Sequence, residues 1–154
     1  MSVTVALLAD HPEVLEDLAA AIQREWPQWY GEYGNAAADL SERSRTSGLP
    51  LGLVAIENGR AVGTLAIAEH ATPTHPHLTP WIAGFWVDMS RRNRGIGSRL
   101  LKAACAWAWT ADFEYLYAAT ATASRLFLRD GWHKIDVGTT QGGARVEIFA
   151  IRLS

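Results

Sequence analysis

Arg91, Arg92, Arg94 and Arg99 crowd around Gly95 and Gly97, directly after the apolar run "WIAGFWVDM" and before a helical pattern that starts at Ile96. A strand that stops, a glycine turn and a helix together make an anion site. The free N–H groups of the first helical turn point outward, and the helix dipole favours negative charge there. Glycine lets the backbone approach a ligand closely and adopt dihedrals other residues avoid. Arg92, Asn93, Arg94, Gly95, Ile96 and Gly97 would line this cradle, and Arg91, Arg92 and Arg94 add side-chain charge suited to phosphate.

The turn does not match the commoner phosphate motifs. The chain contains no GxxxxGK[ST] string, and Leu100 stands where a dinucleotide fingerprint needs its third glycine. The plainer alternative is an ordinary strand-to-helix connection with solvated arginines. Other chemistry is sparse. Cys105 is the one cysteine, which excludes an intramolecular disulfide and a cysteine-based zinc site, and its helical setting suggests a buried, inert thiol. His70, His75 and His77 share a proline-rich loop without a carboxylate pattern, so no metal is expected.

These residues need elements to hold them. Val3 to Ala9 suits a strand. Asp10 can cap the helix that follows, with Pro12 in its first turn and Val14, Leu15, Leu18, Ala21, Ile22 and Trp26 at helical spacing. Pro27 ends that helix or starts a turn, and "QWYGEYG" reads as an aromatic loop. A weaker helix spans Asn35 to Ser47. "LGLVAIE" and "AVGTLAIAE" flank Asn58-Gly59, the pair a tight hairpin prefers. A proline loop, the strand "WIAGFWVDM" and a long helix from Ile96 follow. "YLYAAT" is a strand, "TASRLFLRDG" a short helix, and "WHKIDVG" with "ARVEIFAIRL" a closing antiparallel pair. The order β-α-α-β-β-β-α-β-α-β-β implies a mixed sheet with helices on its faces, in the α/β to α+β range.

At this level the chain resembles the GNAT superfamily of N-acetyltransferases. Arg92-x-x-Gly95-x-Gly97 matches that family's [QR]xxGx[GA] pyrophosphate motif, "GFWVDMSRRNRGIG" its preamble, and "TASRLFLRDGW" its later alanine-aromatic-Gly-aromatic segment. "TPWIAGFWV" resembles the substrate-side strand of one bacterial branch. The resemblance covers nearly the whole chain. It implies one domain over residues 1–154 with a central, mostly antiparallel twisted sheet of about seven strands and helices on both faces. It also implies acetyl-CoA as co-substrate and transfer of its acetyl group to a primary amine. The cradle, with Ser98, would hold the pyrophosphate. Trp86 and Val87 would offer backbone groups to the pantetheine and thioester, and Thr120 and Phe127 would lie against the cofactor.

The resemblance also shows where the catalytic pattern breaks. The family's usual proton-donating tyrosine, four residues before the second-motif glycine, is Phe127 here. The position of the usual strand glutamate is Trp81, and Thr120 replaces an asparagine found in some members. Ser124 or Tyr117 could supply the missing acid, although a capping hydroxyl and a packed aromatic are the better explanations of the two. Glu69, beside the histidine loop, is the preferred base, and the histidines are alternatives. For the acceptor, Trp29, Tyr30 and Trp81, with Trp26 and Tyr33 and the acids Glu25, Glu32, Asp39 and Glu42, suit a cationic small-molecule amine. The alternative is that Trp26 and Trp81 fill the core and the acids are solvated. A peptide or protein N-terminus as acceptor, or an acyl-CoA-binding module without turnover, are the rival functions.

Composition sets the outer bounds. The chain has 154 residues, about one domain's worth, and 49% of them are apolar, enough for a core. A net charge of −2 gives no global reason for nucleic-acid or anionic-membrane binding. No run is long and apolar enough to span a bilayer, and the N-terminus lacks a basic signal region, so a cytoplasmic location is expected. A homodimer is left open.

Overall fold

A computed structural model describes residues 2–32 and 34–154. Its strands are β1 (Thr4–Leu7), β2 (Leu51–Glu57), β3 (Arg60–Ala68), β4 (Trp81–Val87), β5 (Tyr115–Thr120), β6 (His133–Thr139) and β7 (Arg145–Arg152). Its helices are α1 (Leu15–Glu25), α2 (Pro27–Glu32), α3 (Ala36–Glu42), α4 (Ile96–Thr110) and α5 (Ser124–Arg129). The strands form one seven-stranded sheet in the order β1-β2-β3-β4-β5-β7-β6. Pairing is antiparallel for β1–β2, β5–β7 and β6–β7, and parallel for β4–β5. The expected mixed, mostly antiparallel sheet is therefore present.

Local chemistry explains most of the boundaries. The β2–β3 hairpin turns on Asn58 (φ 53°) and Gly59 (φ 77°), the two consecutive positive-φ residues of its tight turn. Asn35 caps α3 by accepting from the Ala38 amide at 3.0 Å. Two expectations change. Asp10 does not cap α1: it lies in a 3₁₀ turn, and the chain passes through a second such turn, Pro12–Val14, before α1 begins behind Val14. The aromatic stretch after Pro27 is not a loop but α2. Proline occupies its first position, where its missing N–H costs nothing, and the Tyr30 amide reaches the Trp26 carbonyl at 3.1 Å.

The chain divides into two compact units, Met1–Ala66 with Gly84–Leu100, and Ile67–Ala83 with Leu101–Ser154. In the first, Leu18 and Ile22 bring the apolar stripe of α1 onto Leu8, Val54 and Trp86, and Tyr30, Ala36 and Leu40 close that core from α2 and α3. Each fully buried side chain of this size contributes about 1.5–3 kcal/mol. Gly63 on β3 seats the start of α4. A Cβ there would lie 3.0 Å from Leu100 Cδ1 and 3.2 Å from Ile96 Cγ2, so a missing side chain fixes where the glycine turn stands.

In the second unit, Trp81, Val146 and Ile148 form a cluster with Leu78, Tyr117 and Ala119 against it. Phe127 stacks on Phe149 at 5.6 Å and meets Trp132 edge-on at 5.1 Å. Burial pushes the Cys105 thiol up to about 11, so it is protonated at neutral pH and inert, as its helical position suggested.

Candidate functional site

Strand β4 ends at Val87, and the Asp88 amide donates back to the Val62 carbonyl at 2.8 Å. The Asp88 carboxylate then accepts from the Ser90 amide at 3.2 Å, which caps a short 3₁₀ turn over Met89–Arg91. After Arg92 the backbone enters the left-handed region twice, at Asn93 (φ 66°) and Gly95 (φ 80°). Asparagine and glycine are the residues that tolerate this region best. The first i→i−4 bond of α4 runs from the Arg99 amide to the Gly95 carbonyl at 3.1 Å. Ile96 and Gly97 thus belong to the opening turn, whose amides precede the helical ladder. A Cβ on Gly95 would meet nothing within 4 Å, so the cradle is open on that side.

The arginines divide their work in a way the sequence did not indicate. Arg91 is structural: its Nε donates to Glu57 Oε1 at 2.6 Å, and Glu57 is only 5% exposed at the end of β2. That bond is the first cause holding the Arg91 guanidinium above its ordinary pKa. Arg92 donates through Nε to the Val87 carbonyl at 2.9 Å and forms an ion pair with Glu25 at the end of α1. Arg94 is exposed. The Val87 carbonyl, expected to face a cofactor, is thus already an acceptor for Arg92.

Glu25 also borders a cleft of 420 Å³ that runs along α1, with Val14, Asp17 and Arg24 on one wall and Trp86 and Asp88 on another. This volume falls within the range of small-molecule pockets. Of the acceptor candidates in the same unit, Trp29 is 40% exposed and Tyr30 is buried. Burial is the leading cause that raises the Tyr30 phenol; Arg43 pulls it down and Asp39 pushes it up. Glu42 is exposed and Asp39 half-buried. Tyr33 and the side chain of Glu32 lie outside the described residues.

The remaining candidates belong to the second unit. Trp81 has no exposed surface, donates its indole N–H to the Leu78 carbonyl at 2.7 Å and packs on Tyr117 at 5.7 Å. It fills the core and offers no wall to a ligand. Tyr117 is half-buried, and burial first, then Tyr115 and Glu114, raise its phenol, so it stays a proton donor through neutral pH. The Thr120 hydroxyl accepts from the amides of Ala123 at 2.8 Å and Thr122 at 3.2 Å, fixing the entry to α5. The Ser124 hydroxyl donates to Glu147, whose other oxygen meets Lys134 Nζ at 2.7 Å. Lys134 first, then Ser124, hold the Glu147 carboxyl below its usual range. Phe127 is 2% exposed. Glu69 is 71% exposed in its side chain, and its carboxylate lies 3.7 Å from His70.

A clamp holds the histidine loop, and no sequence motif announces it. His75 is buried, with Nε2 2.7 Å from Asp136 Oδ2 and Nδ1 2.9 Å from Thr74 Oγ1. Gly138 on β6 makes room, since a Cβ there would come within 2.7 Å of Thr74 Oγ1. Among the described residues, no group of three or more His, Cys, Asp or Glu side chains is placed to hold a metal ion. Among them, too, no helix is long and apolar enough to cross a membrane.

Comparison with known proteins bears on the family and the fold. Residues 15–132 match the family model described as "Acetyltransferase (GNAT) family". A comparison with curated proteins finds no match. Among solved structures, the chain is similar to an aminoglycoside 6'-N-acetyltransferase complexed with coenzyme A, at TM-score 0.78 and 15% identity over 99% of this chain and 97% of that one. It is also similar to the aminoglycoside 6'-N-acetyltransferase from Enterococcus faecium (TM-score 0.76, 14% identity, 99% and 97% covered). A third is an acetyltransferase of the GNAT family from Streptococcus pneumoniae (0.72, 16%, 99% and 100%). At these identities the structures share the fold. The family match spans most of the chain, which therefore belongs to the acetyltransferase (GNAT) family.

Proposed function

We propose that this GNAT-family chain is an acetyl-CoA-dependent N-acetyltransferase that acts on the primary amine of a small molecule. One observation carries the reading. The turn from Arg92 to Gly97 bends left-handed at Asn93 and Gly95, leaves the Gly95 side open and leads straight into the first turn of α4. This arrangement fits a pyrophosphate. Backbone amides at a helix start bind its oxygens, and Arg94 and Arg92 neutralise its charge. A neighbouring fold of the same kind was solved with coenzyme A.

Acetyl-CoA supplies an activated thioester and departs as the free thiol. The acceptor amine must be neutral to attack, so it gives up a proton, and the leaving sulfur gains one. Trp86 and Val87 are the strand-end residues for the pantetheine arm. Thr120 stands just before the second family segment, where its hydroxyl holds the turn into α5, and Phe127 is the buried ring of that segment. Tyr117 is the preferred donor for the sulfur because its phenol holds its proton. Ser124 is less suited, since its hydroxyl is committed to Glu147. Glu69, with His70 nearby, is the preferred base because solvent can carry the proton away from an exposed carboxylate. Trp29 and Tyr30 are the acceptor-side aromatics.

Thiol release from acetyl-CoA across a panel of free amines tests the reading. Turnover with at least one small amine is expected. Tight coenzyme A binding without turnover on any amine or peptide would leave only a binding module. Failure to bind coenzyme A would remove the assignment of the turn.

A further inference from the structure

Arg43 follows α3 and is only 8% exposed, yet its Nη1 has no hydrogen-bond partner among the described residues. A buried guanidinium nitrogen without an acceptor is costly, and native structures rarely keep one without a use. Two glycines are arranged around this side chain. On β2, a Cβ at Gly52 would lie 3.0 Å from the Arg43 carbonyl oxygen and 3.1 Å from its Cγ, and the Gly52 amide donates to that carbonyl at 2.7 Å. On β4, a Cβ at Gly84 would lie 2.7 Å from Nη1 and 2.9 Å from Nη2.

The sheet order places β3 between β2 and β4. The Arg43 stem therefore starts at Gly52 and its head reaches Gly84, with β3 between the two strands. Gly84 has φ +55°, and it keeps exposed surface in the central strand of the sheet. Both terminal nitrogens of Arg43 thus occupy the space above a bare, kinked glycine, on the strand whose end leads into the phosphate cradle. Tyr30 borders the same guanidinium, and Asp39 lies beside Tyr30. Among the described residues no carboxylate forms an ion pair with Arg43 within 4.0 Å.

From this geometry we infer that Arg43 is the receptor for a carboxylate on the acceptor, and that the substrate class is an amine that also carries a carboxylate, such as an amino acid. This inference rests on the acetyltransferase reading above and narrows it. The planar fork of arginine matches a carboxylate with two parallel N–H···O bonds, a fit that an ammonium or a hydroxyl lacks. A polycation would instead place like charge against Arg43. The acids that suggested a cationic acceptor are partly committed elsewhere, with Glu25 paired to Arg92.

The test pairs amino acids with their own carboxamides, measured by thiol release from acetyl-CoA and by calorimetric titration into the coenzyme A complex. Wild type is expected to favour the acid over the amide by roughly 10- to 100-fold, the range of a hydrogen bond to a charged group. In Arg43→Met that ratio should fall to near one, and Arg43→Lys should restore part of it. Arg43→Met should also melt no lower than wild type, because an apolar residue replaces an unpartnered buried charge. A structural arginine would lower the melting temperature without changing the ratio, and that result overturns the inference. Gly84→Ala gives a second variant, since its new methyl displaces the fork, and it too should lower the acid-to-amide ratio. Turnover of plain amines or amides with no preference for the acid overturns the carboxylate assignment while leaving acetyl transfer in place. If no carboxylate-bearing amine binds or reacts, the inference fails outright, and coenzyme A titration decides separately whether the acetyltransferase reading survives.

Discussion

Arg92 cannot hold a pyrophosphate with the same nitrogen that holds Glu25, so cofactor binding should break that ion pair. The expected consequence is that Glu25→Gln tightens coenzyme A binding. Glu25 is 27% exposed and Arg92 43% exposed, which places the pair in the surface class. Such pairs contribute about 0.2–1 kcal/mol. Removing the competitor returns that energy to the cofactor, a gain of roughly 1.4- to 5-fold in affinity. The gain should shrink at high salt, where screening already weakens the pair.

Calorimetric titration of coenzyme A at low and high ionic strength measures this directly. Arg92→Ala is the control, expected to weaken binding by about 10- to 100-fold through loss of a charged hydrogen bond. In the Arg92→Ala background the Glu25→Gln effect should disappear, because the two residues are coupled only through their contact. Weaker binding by Glu25→Gln would refute the reasoning and make Glu25 the residue that aims Arg92 at phosphate. Additive effects in the double variant would mean that the ion pair has no part in binding.

Gly95→Val should abolish coenzyme A binding but keep the fold: the new side chain meets no neighbour, and the left-handed φ of 80° costs about 1–2 kcal/mol. Unchanged affinity by calorimetry would remove the turn from the site. Phe127→Tyr places a hydroxyl on a ring that is 2% exposed and packed between Trp132 and Phe149. It should cost about 1–3 kcal/mol of stability with no gain in turnover. A stable variant with faster turnover would instead put the ring edge beside the leaving sulfur. The Asp136 carboxyl is held below its usual range, first by its hydrogen bond from His75. A lowered folded pKa means stability fully present above the ordinary value of 3.8 and lost as pH falls through the folded value. Asp136→Asn should therefore lower the melting temperature at pH 7 and make little difference near pH 2, and an equal loss at both would discount the His75 clamp.

The sequence carried the sheet well because its signals are local. Asn58-Gly59 needs only two residues to specify a hairpin, and both adopt the positive φ the pair implies. The run from Trp81 to Val87 is the central strand of the sheet, buried at Trp81, Ile82 and Trp86 and half-buried at the rest. The stretch after Pro27 misled for an equally physical reason. Proline is both a helix breaker and the favoured first residue of a helix, and local pattern alone does not separate the two. What decides is the Trp26–Tyr30 spacing, which buries Tyr30 in the core of the first unit. Likewise Asp10 looked like a cap, but the cap position fell four residues later, behind two 3₁₀ turns.

The site divides along the same line. The bend of the turn was legible because it is made of backbone, and the residues that bend it, Asn93 and Gly95, lie close together in the chain. The side-chain chemistry was not legible. Arg92 meets a carboxylate 67 residues away, and Arg91 one 34 residues away. Both arginines looked like equal phosphate ligands, yet one is fixed on a nearly buried acid and the other sits in an exposed, exchangeable pair. Arg43 left no motif at all. Its signal was spread over Gly52 and Gly84, two glycines in strands where glycine weakens the ladder and so needs a reason. Each reads alone as a tolerated small residue. Only the sheet order, which sets β2 and β4 one strand apart, shows that both clear a path for the same guanidinium. A glycine inside a strand of an apolar sheet is therefore a place to look for a long side chain arriving from elsewhere in the chain, and here the arriving group is a charge with no counter-ion among the described residues.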